Sequence, residues 1–180
     1  MLRFRAFTNL PWFLPGVLAS IVIGYLAKGR VSRWLEVTPI VGWAVVVALG
    51  LIVSATLTPL HEDPFHVGSP VQGCDFSRVG PASIDEILQF NDTILNIALF
   101  VPLGACLAIV PSRRRRVALV AAALAFPVVI ETTQLLVKPL DRACQSADVA
   151  DNITGLLLGL ALGSIPWLLR SSMTDRPRPR

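Results

Sequence analysis

Residues 117–137, VALVAAALAFPVVIETTQLLV, form an apolar stretch in which Glu131 is the only ionisable side chain. An α-helix needs about 20 apolar residues to cross a hydrocarbon layer of about 30 Å, and this stretch has that length. It lacks the alternation of apolar and polar residues that is typical of barrel strands. The stretch therefore predicts a membrane-spanning helix that carries one carboxyl group.

The rest of the chain has the composition of a membrane protein. Of its 180 residues, 53% are hydrophobic and 16% are charged, against about 45–50% and 25% in soluble domains. Four further runs lack any acidic or basic side chain, namely residues 10–27, 37–60, 93–112 and 152–169. We therefore expect an all-α, polytopic transmembrane helical bundle with a four-helix core and one N-terminal helix.

The basic residues predict the orientation and the domain organisation. The run RRRR at 113–116 marks a cytoplasmic loop. The outer loops are then 61–91 and 138–148. Residues 1–36 are expected to form an N-terminal segment and a cytoplasmic loop, and residues 37–169 the transmembrane domain. Residues 170–180 are expected to be a disordered basic tail near the lipid surface.

Two alternatives stay open for these segments. Pro11 and Pro15 allow residues 10–27 to form a re-entrant or interfacial segment instead of a span. The arginine runs at 113–116 and 170–180 are interpreted as orientation signals, with specific lipid recognition as the alternative.

Polar residues recur near the predicted outer ends of three helices. Glu131 lies about 9 Å below the outer end of its helix, at 1.5 Å per residue. Gln134 follows on the same helix face. Asn96 lies at a matching depth on the preceding helix, and the last helix begins on the same side of the membrane. The candidate ligand-binding residues are Asn96, Glu131, Gln134, Arg142, Asp148, Asp151 and Asn152.

This gathering of polar residues has two interpretations. In the first, the side chains only make hydrogen bonds between helices and hold the bundle together. In the second, they border a polar pocket near the outer leaflet that binds a head group or a small molecule. We favour the second interpretation.

Cysteines and glycines add two structural predictions. Cys74 and Cys144 lie in the two outer loops, where an oxidising compartment favours a disulfide between them, and two unrelated thiols are the alternative. Cys106 is expected to be a small packing residue. Gly155, Gly159 and Gly163 recur every four residues and predict a close approach of another helix.

Three motifs in order resemble the VanZ-like family of bacterial membrane proteins over about residues 40–165. They are NIALFVPLG at 96–104, ETTQLL at 131–136 and DVADNITGLLLG at 148–159. The resemblance implies a four-helix VanZ-like core and a multi-pass location in the bacterial cytoplasmic membrane. The family's namesake is associated with resistance to the glycopeptide teicoplanin. The resemblance therefore implies an envelope function at the outer face of the membrane.

Three hypotheses for the function follow. The first is a non-catalytic envelope protein that binds a lipid-like or antibiotic-like ligand. The others are an intramembrane enzyme acting on a lipid-linked substrate, and a scaffold subunit without a ligand. The spacing identifies no catalytic pair, so a non-catalytic role is favoured.

The expected partners are membrane lipids and either a lipid-linked cell-wall precursor or a glycopeptide. No cofactor is expected, and no oligomeric state is predicted. No nucleic acid is expected, because the net charge of +4 is explained by the cytoplasmic arginines. No metal is expected, because His61, Glu62, Asp63 and His66 match no strong zinc spacing.

Overall fold

The computed structural model describes residues 12–59, 73–88, 92–140 and 142–174. Its helices are α1 (Phe13–Leu35), α2 (Pro39–Thr56), α3 (Ile84–Leu88), α4 (Asp92–Ala108), α5 (Arg113–Leu136) and α6 (Ser146–Thr174). Two short strands, β1 (Cys74–Asp75) and β2 (Cys144–Gln145), pair in parallel, and a 3₁₀ turn covers Lys138–Leu140. The predicted all-α bundle is confirmed.

The long helices run alternately in opposite directions between two ends. At one end, which we call the arginine end, the Arg115 guanidinium lies 3.1 Å from the Glu36 carboxylate, so the α1–α2 turn adjoins the start of α5. At the other, the disulfide end, Cys74 is bonded to Cys144. Because successive runs were expected to cross the membrane in opposite directions, the sequence predicted which turns and loops lie together at each end.

Four helical segments are long and apolar enough to cross a membrane, at Phe13–Leu35, Pro39–Thr56, Arg113–Leu136 and Ser146–Ile165. The fifth, α4, has 17 residues, so it is about 26 Å long at 1.5 Å per residue. It ends before the predicted boundary at Ser112, and Ser112 instead caps α5, where its Oγ accepts a hydrogen bond from the Arg115 amide.

The first helix is longer than the predicted first span. It continues through Lys28, Arg30 and Arg33, which were expected to lie in a cytoplasmic loop, because these residues favour helix. It ends at Glu36, which has a left-handed backbone with φ of 60°. Pro15 lies in the first turn, where a missing amide donor is tolerated. An uninterrupted helix of 23 residues has the length of a span, unlike a re-entrant segment.

The last helix also exceeds its prediction. It begins at Ser146, six residues before the predicted start at Asn152, and its backbone is helical to Thr174. The first five residues of the tail predicted to be disordered are therefore helical. Residues 175–180 and 1–11 lie outside the described part of the chain.

Small residues let α4 and α6 touch through their backbones. A Cβ atom added at Gly155 would collide with the carbonyl of Ile97, and one added at Gly159 would collide with that of Val101. On the facing helix, a Cβ at Gly104 would collide with the carbonyl of Leu156. The predicted close approach of the glycine face is confirmed, and α4 is the helix that it meets.

The interior and the outer surface of the bundle are both apolar. Phe100 is fully buried in the core, and its ring centroid lies 6.2 Å from that of Phe126 in a tilted arrangement. On the outside of α1, Leu14, Leu18 and Leu26 are more than half exposed. A soluble protein rarely exposes so continuous an apolar surface. The outer surface therefore suits contact with lipid.

Candidate ligand site at the disulfide end

A covalent link joins the two loops at the disulfide end. The Cys74–Cys144 disulfide is present as predicted, with a sequence separation of 70 residues. It lies within the pairing of β1 with β2, in which Cys74 faces Cys144 and Asp75 faces Gln145. Cys106 is a free, half-buried thiol in α4, in agreement with its predicted packing role. The loop after Cys74 is thus held against the start of α6.

That loop delivers an arginine to α6. Both terminal nitrogens of Arg78 donate to the carboxylate of Asp151, at 2.9 Å to Oδ1 and 2.6 Å to Oδ2. Asp151 is 1% exposed. A bidentate pair of this kind fixes orientation as well as charge. The predicted site residue Asp151 therefore has a protein partner.

Further contacts hold Arg78 in place. Its Nη1 also donates to the carbonyl of Gly80, and its own carbonyl accepts from the hydroxyl of Ser146 at 2.6 Å. The hydrogen bond with Asp151 raises the pKa of Arg78 above its ordinary value, which keeps the guanidinium charged.

Sequence reasoning missed Arg78, although a signal for it existed. Arg78 follows Cys74 by four residues, and Asp151 follows Cys144 by seven. The predicted disulfide therefore already placed this basic residue near the start of the last helix.

Glu131 points into the protein and not into the lipid. It is 5% exposed, and its Oε2 accepts a hydrogen bond of 2.8 Å from the backbone amide of Gln145. This bond joins the carboxylate of α5 to the strand β2, one residue after Cys144. The position of Glu131 is thus tied to the loop that the disulfide anchors.

Gln134 and Arg142 bind the end of α2. The Gln134 amide nitrogen donates to the carbonyl of Thr56 at 2.9 Å, and Arg142 Nη2 donates to the carbonyl of Ala55 at 2.9 Å. The last carbonyls of a helix have no partner within it, so these bonds satisfy groups that would otherwise be buried alone. Both predicted site residues therefore connect α2 to the site.

Arg142 lies in an acidic environment. Its burial lowers the pKa of its guanidinium, and the negative charges of Asp148, Glu131 and Asp92 oppose that effect. Asn96 of α4 is close enough to hydrogen-bond the carboxyl of Asp148. Three helices and one loop therefore bring these side chains to one place, at the level that the sequence predicted.

We refer to Asn96, Glu131, Gln134, Arg142, Asp148 and Asn152 as the polar cluster. Three of its buried polar atoms have no hydrogen-bond partner within the described structure. They are Gln134 Oε1, Arg142 Nε and Asn152 Oδ1. Asn152 is only 1% exposed. An unpaired buried polar atom costs free energy and is unusual in native proteins.

The two cavities that we describe lie away from the polar cluster. One, of about 630 Å³, lies at the arginine end, and the other, of about 340 Å³, lies between Tyr25 and Trp43. The described residues contain no group of three or more His, Cys, Asp or Glu side chains able to hold a metal. His61, Glu62, Asp63 and His66 lie outside the described residues.

The fold and the buried polar cluster define a class, the multi-pass α-helical membrane proteins. The chain belongs to the VanZ/LLP1 family, whose profile matches residues 45–168. The matched region begins within α2, so α1 precedes it, in agreement with the predicted four-helix core and additional N-terminal helix. Comparisons with curated proteins and with solved structures gave no match.

Proposed function

We propose that this protein is a non-catalytic component of the bacterial cell envelope whose polar cluster binds a lipid-like or antibiotic-like ligand. The protein lies in the cytoplasmic membrane with the disulfide end outside. A disulfide forms in oxidising compartments, and arginine-rich loops stay in the cytoplasm, so both features support this orientation. The ligand site then lies near the outer leaflet.

The observation that carries the proposal is the set of unpaired buried atoms. Arg142 Nε can donate a hydrogen bond, while Gln134 Oε1 and Asn152 Oδ1 can accept one. Each of these residues also belongs to the end of the bundle that the disulfide closes. A ligand that enters the cluster would supply the missing partners and gain the corresponding free energy.

The chemistry of the cluster restricts the ligand. It offers both donors and acceptors, and carboxyl groups surround its arginine. Such a site suits hydroxyl and amide groups better than a bare phosphate. Lipid-linked cell-wall precursors and glycopeptides such as teicoplanin carry hydroxyl and amide groups. A teicoplanin-resistance function, of the kind associated with the family's namesake, is consistent with either ligand.

The test uses two substitutions and a matched control. Glu131→Gln can still accept a hydrogen bond from the Gln145 amide but loses the charge, and Asn152→Leu removes the unpaired Oδ1 atom and keeps a side chain of similar size. Thr132→Val is the control, because Thr132 is exposed on the same helix as Glu131 and its hydroxyl donates to the carbonyl of Val128 within that helix.

Binding of teicoplanin and of a lipid-linked precursor to the purified protein is measured, together with teicoplanin susceptibility of a bacterial host. We expect Glu131→Gln and Asn152→Leu to lose binding and resistance at equal membrane abundance, and Thr132→Val to retain both. Normal binding and resistance in both cluster variants would refute the proposal. Turnover of the precursor would instead support the enzyme hypothesis.

A scaffold role is the second candidate, because several cluster residues already have protein partners. Gln134 and Arg142 bind carbonyls of α2, and Glu131 binds the amide of Gln145. Hydrogen bonds of this kind stabilise helix bundles by about 0.6–2 kcal/mol each. In a scaffold, the cluster variants would lower stability and leave no ligand-dependent difference.

A further inference from the structure

A cavity of about 630 Å³ opens at the arginine end, far from the polar cluster. Its apolar wall includes Val117, Val120 and Leu124 of α5, with Leu160 of α6 opposite. Ala108 at the end of α4 and Arg116 complete it at the end nearest the membrane surface. Its volume lies within the range of about 300–1,000 Å³ that is usual for small-molecule sites.

The packing of α5 explains the cavity. Every buried residue of this helix lies at or after Ala123, in the part that leads to the disulfide end. Before Ala123, Ala121 lines the cavity and faces a region that no large side chain of the described residues fills. The small side chains at the start of α5 therefore leave a gap beside α4 and α6, and this gap forms a groove.

Positive charge collects beside this groove. The first four residues of α5 are Arg113–Arg116, and its first turn contains no acidic residue. The positive end of the helix dipole lies at the same place and adds to their charge. Glu36, which pairs with Arg115, is the acidic partner that the described ion pairs provide for this run. The head of the groove therefore suits an anion.

Arg116 belongs both to the run of arginines and to the lining of the groove. Its Nη1 donates to the carbonyls of Ala108 at 3.3 Å and Val110 at 3.5 Å, which are near the end of α4. These bonds hold the guanidinium over the groove. From Arg116 to Leu124 the groove extends about 12 Å along α5, which is most of one leaflet of a hydrocarbon layer about 30 Å thick.

We propose that this groove binds one anionic phospholipid. One acyl chain lies along Val117, Val120 and Leu124, and the phosphate contacts Arg116 and the neighbouring arginines. Basic pockets between transmembrane helices are known to bind anionic head groups on the cytoplasmic side. The site is separate from the polar cluster, so its test does not depend on the function proposed above.

The test compares phosphatidylglycerol with phosphatidylcholine, which differ in net charge but share their acyl chains. The full-length protein is delipidated in detergent and titrated with each lipid, and the bound lipids are counted by native mass spectrometry. We expect one site to prefer phosphatidylglycerol over phosphatidylcholine by roughly fivefold for each arginine that contacts the head group, because the choline group of phosphatidylcholine offsets the charge of its phosphate.

Two variants separate the groove from the charge. Ala121→Phe fills the groove and keeps all arginines. Arg116→Gln keeps the groove and removes the positive charge of the side chain that is proposed to contact the phosphate. Ala122→Phe is the matched control, because Ala122 is exposed at the same depth and does not line the cavity. We expect the first two variants to lose the preferred site and the control to retain it.

Three outcomes would overturn the proposal. Equal affinity for the two lipids would show that charge does not select the occupant. An unchanged preference in Ala121→Phe would show that the arginines bind head groups without the groove. A dimer that Ala121→Phe dissociates would show that a second copy of the chain occupies the groove.

Discussion

The two ends of the bundle differ in the burial and pairing of their charged side chains. At the disulfide end, Asp151 is buried and pairs with Arg78, and Glu131 is buried against a backbone amide. At the arginine end, Arg113 and Arg114 are exposed, and within the described residues the carboxylate of Glu36 is the one that pairs with the run of four arginines. Charges at the first end therefore organise the protein itself. Charges at the second end are instead largely exposed on the surface.

This difference has a physical basis in desolvation. A buried ion needs its partner, because removing the partner leaves an uncompensated charge in a medium of low dielectric constant. An exposed ion is screened by water and salt and loses little when its partner is removed. Substitutions of one carboxylate at each end should therefore have very different effects, and the following predictions test that contrast.

The largest effect is expected for Asp151→Ala. It leaves the Arg78 guanidinium without the carboxylate that it binds through two hydrogen bonds, and breaking a buried pair costs about 3–5 kcal/mol. We expect a loss near the lower value, because Arg78 is partly exposed. Chemical denaturation in detergent measures the free energy of unfolding.

The matched control for this prediction removes both charges. In Arg78→Met combined with Asp151→Leu neither member of the buried pair is left alone, and the Glu86 side chain, which loses its contact of 3.9 Å with Arg78, is 42% exposed. Most of the lost stability should therefore return. A loss below about 1 kcal/mol in Asp151→Ala alone would contradict the contrast between the two ends.

A comparable loss is expected when the disulfide is removed. Cys74→Ser combined with Cys144→Ser should destabilise the protein by about 2–4 kcal/mol, because the unfolded chain is no longer constrained across 70 residues. Reduction of the wild-type protein should lower its thermal midpoint in the same way. Cys106→Ser, which breaks no disulfide, provides the comparison, and equal effects of all three changes would argue against this role.

A moderate effect is expected for Gln134→Leu. The carbonyl of Thr56 loses its hydrogen bond from the Gln134 amide and stays buried, which costs about 1–2 kcal/mol. Thr133→Val on the same helix should have less effect, because the Thr133 hydroxyl bonds the carbonyl of Val129 within its own helix. The thermal midpoints of the two variants are compared in the same detergent. A larger decrease in Thr133→Val than in Gln134→Leu would contradict the prediction.

The smallest effect is expected for Glu36→Gln at the arginine end. The Glu36 side chain is 54% exposed, so its pair with Arg115 should contribute no more than about 1 kcal/mol. Denaturation at low and high salt measures this contribution, which should vanish at high salt. A loss as large as that in Asp151→Ala would remove the distinction between the two ends.

Much of the fold could be predicted from the sequence, because lipid imposes strict limits on a spanning segment. The apolar runs identified the long helices, and the positions of Cys74 and Cys144 in different loops on the same side predicted their bond. Helix boundaries were less predictable. Lys28 and Arg33 lie on the last turns of α1, where charged residues stay helical at the membrane surface.

The candidate site was predictable in position but not in its contacts. Depth along each helix placed Glu131, Asn96 and Asn152 at one level, since every spanning helix advances by the same distance per residue. The carbonyls of α2 that accept hydrogen bonds from Gln134 and Arg142 could not be predicted. Every residue has a backbone carbonyl, so the sequence does not indicate which one accepts the bond. The pairing of Arg78 with Asp151 depends on how a loop folds back over the bundle.

The glycine contact between α4 and α6 has a mechanical consequence. No side chain separates the two backbones at Gly104, Gly155 and Gly159, so one helix cannot slide or turn without the other. Helices α4 and α6 therefore behave as one rigid unit, in which Asn96, Asp148 and Asn152 keep their relative positions. Glu131 and Gln134 belong to α5, which is buried along only half of its length. A tilt of α5 would therefore change the distance between these two groups without separating α4 from α6.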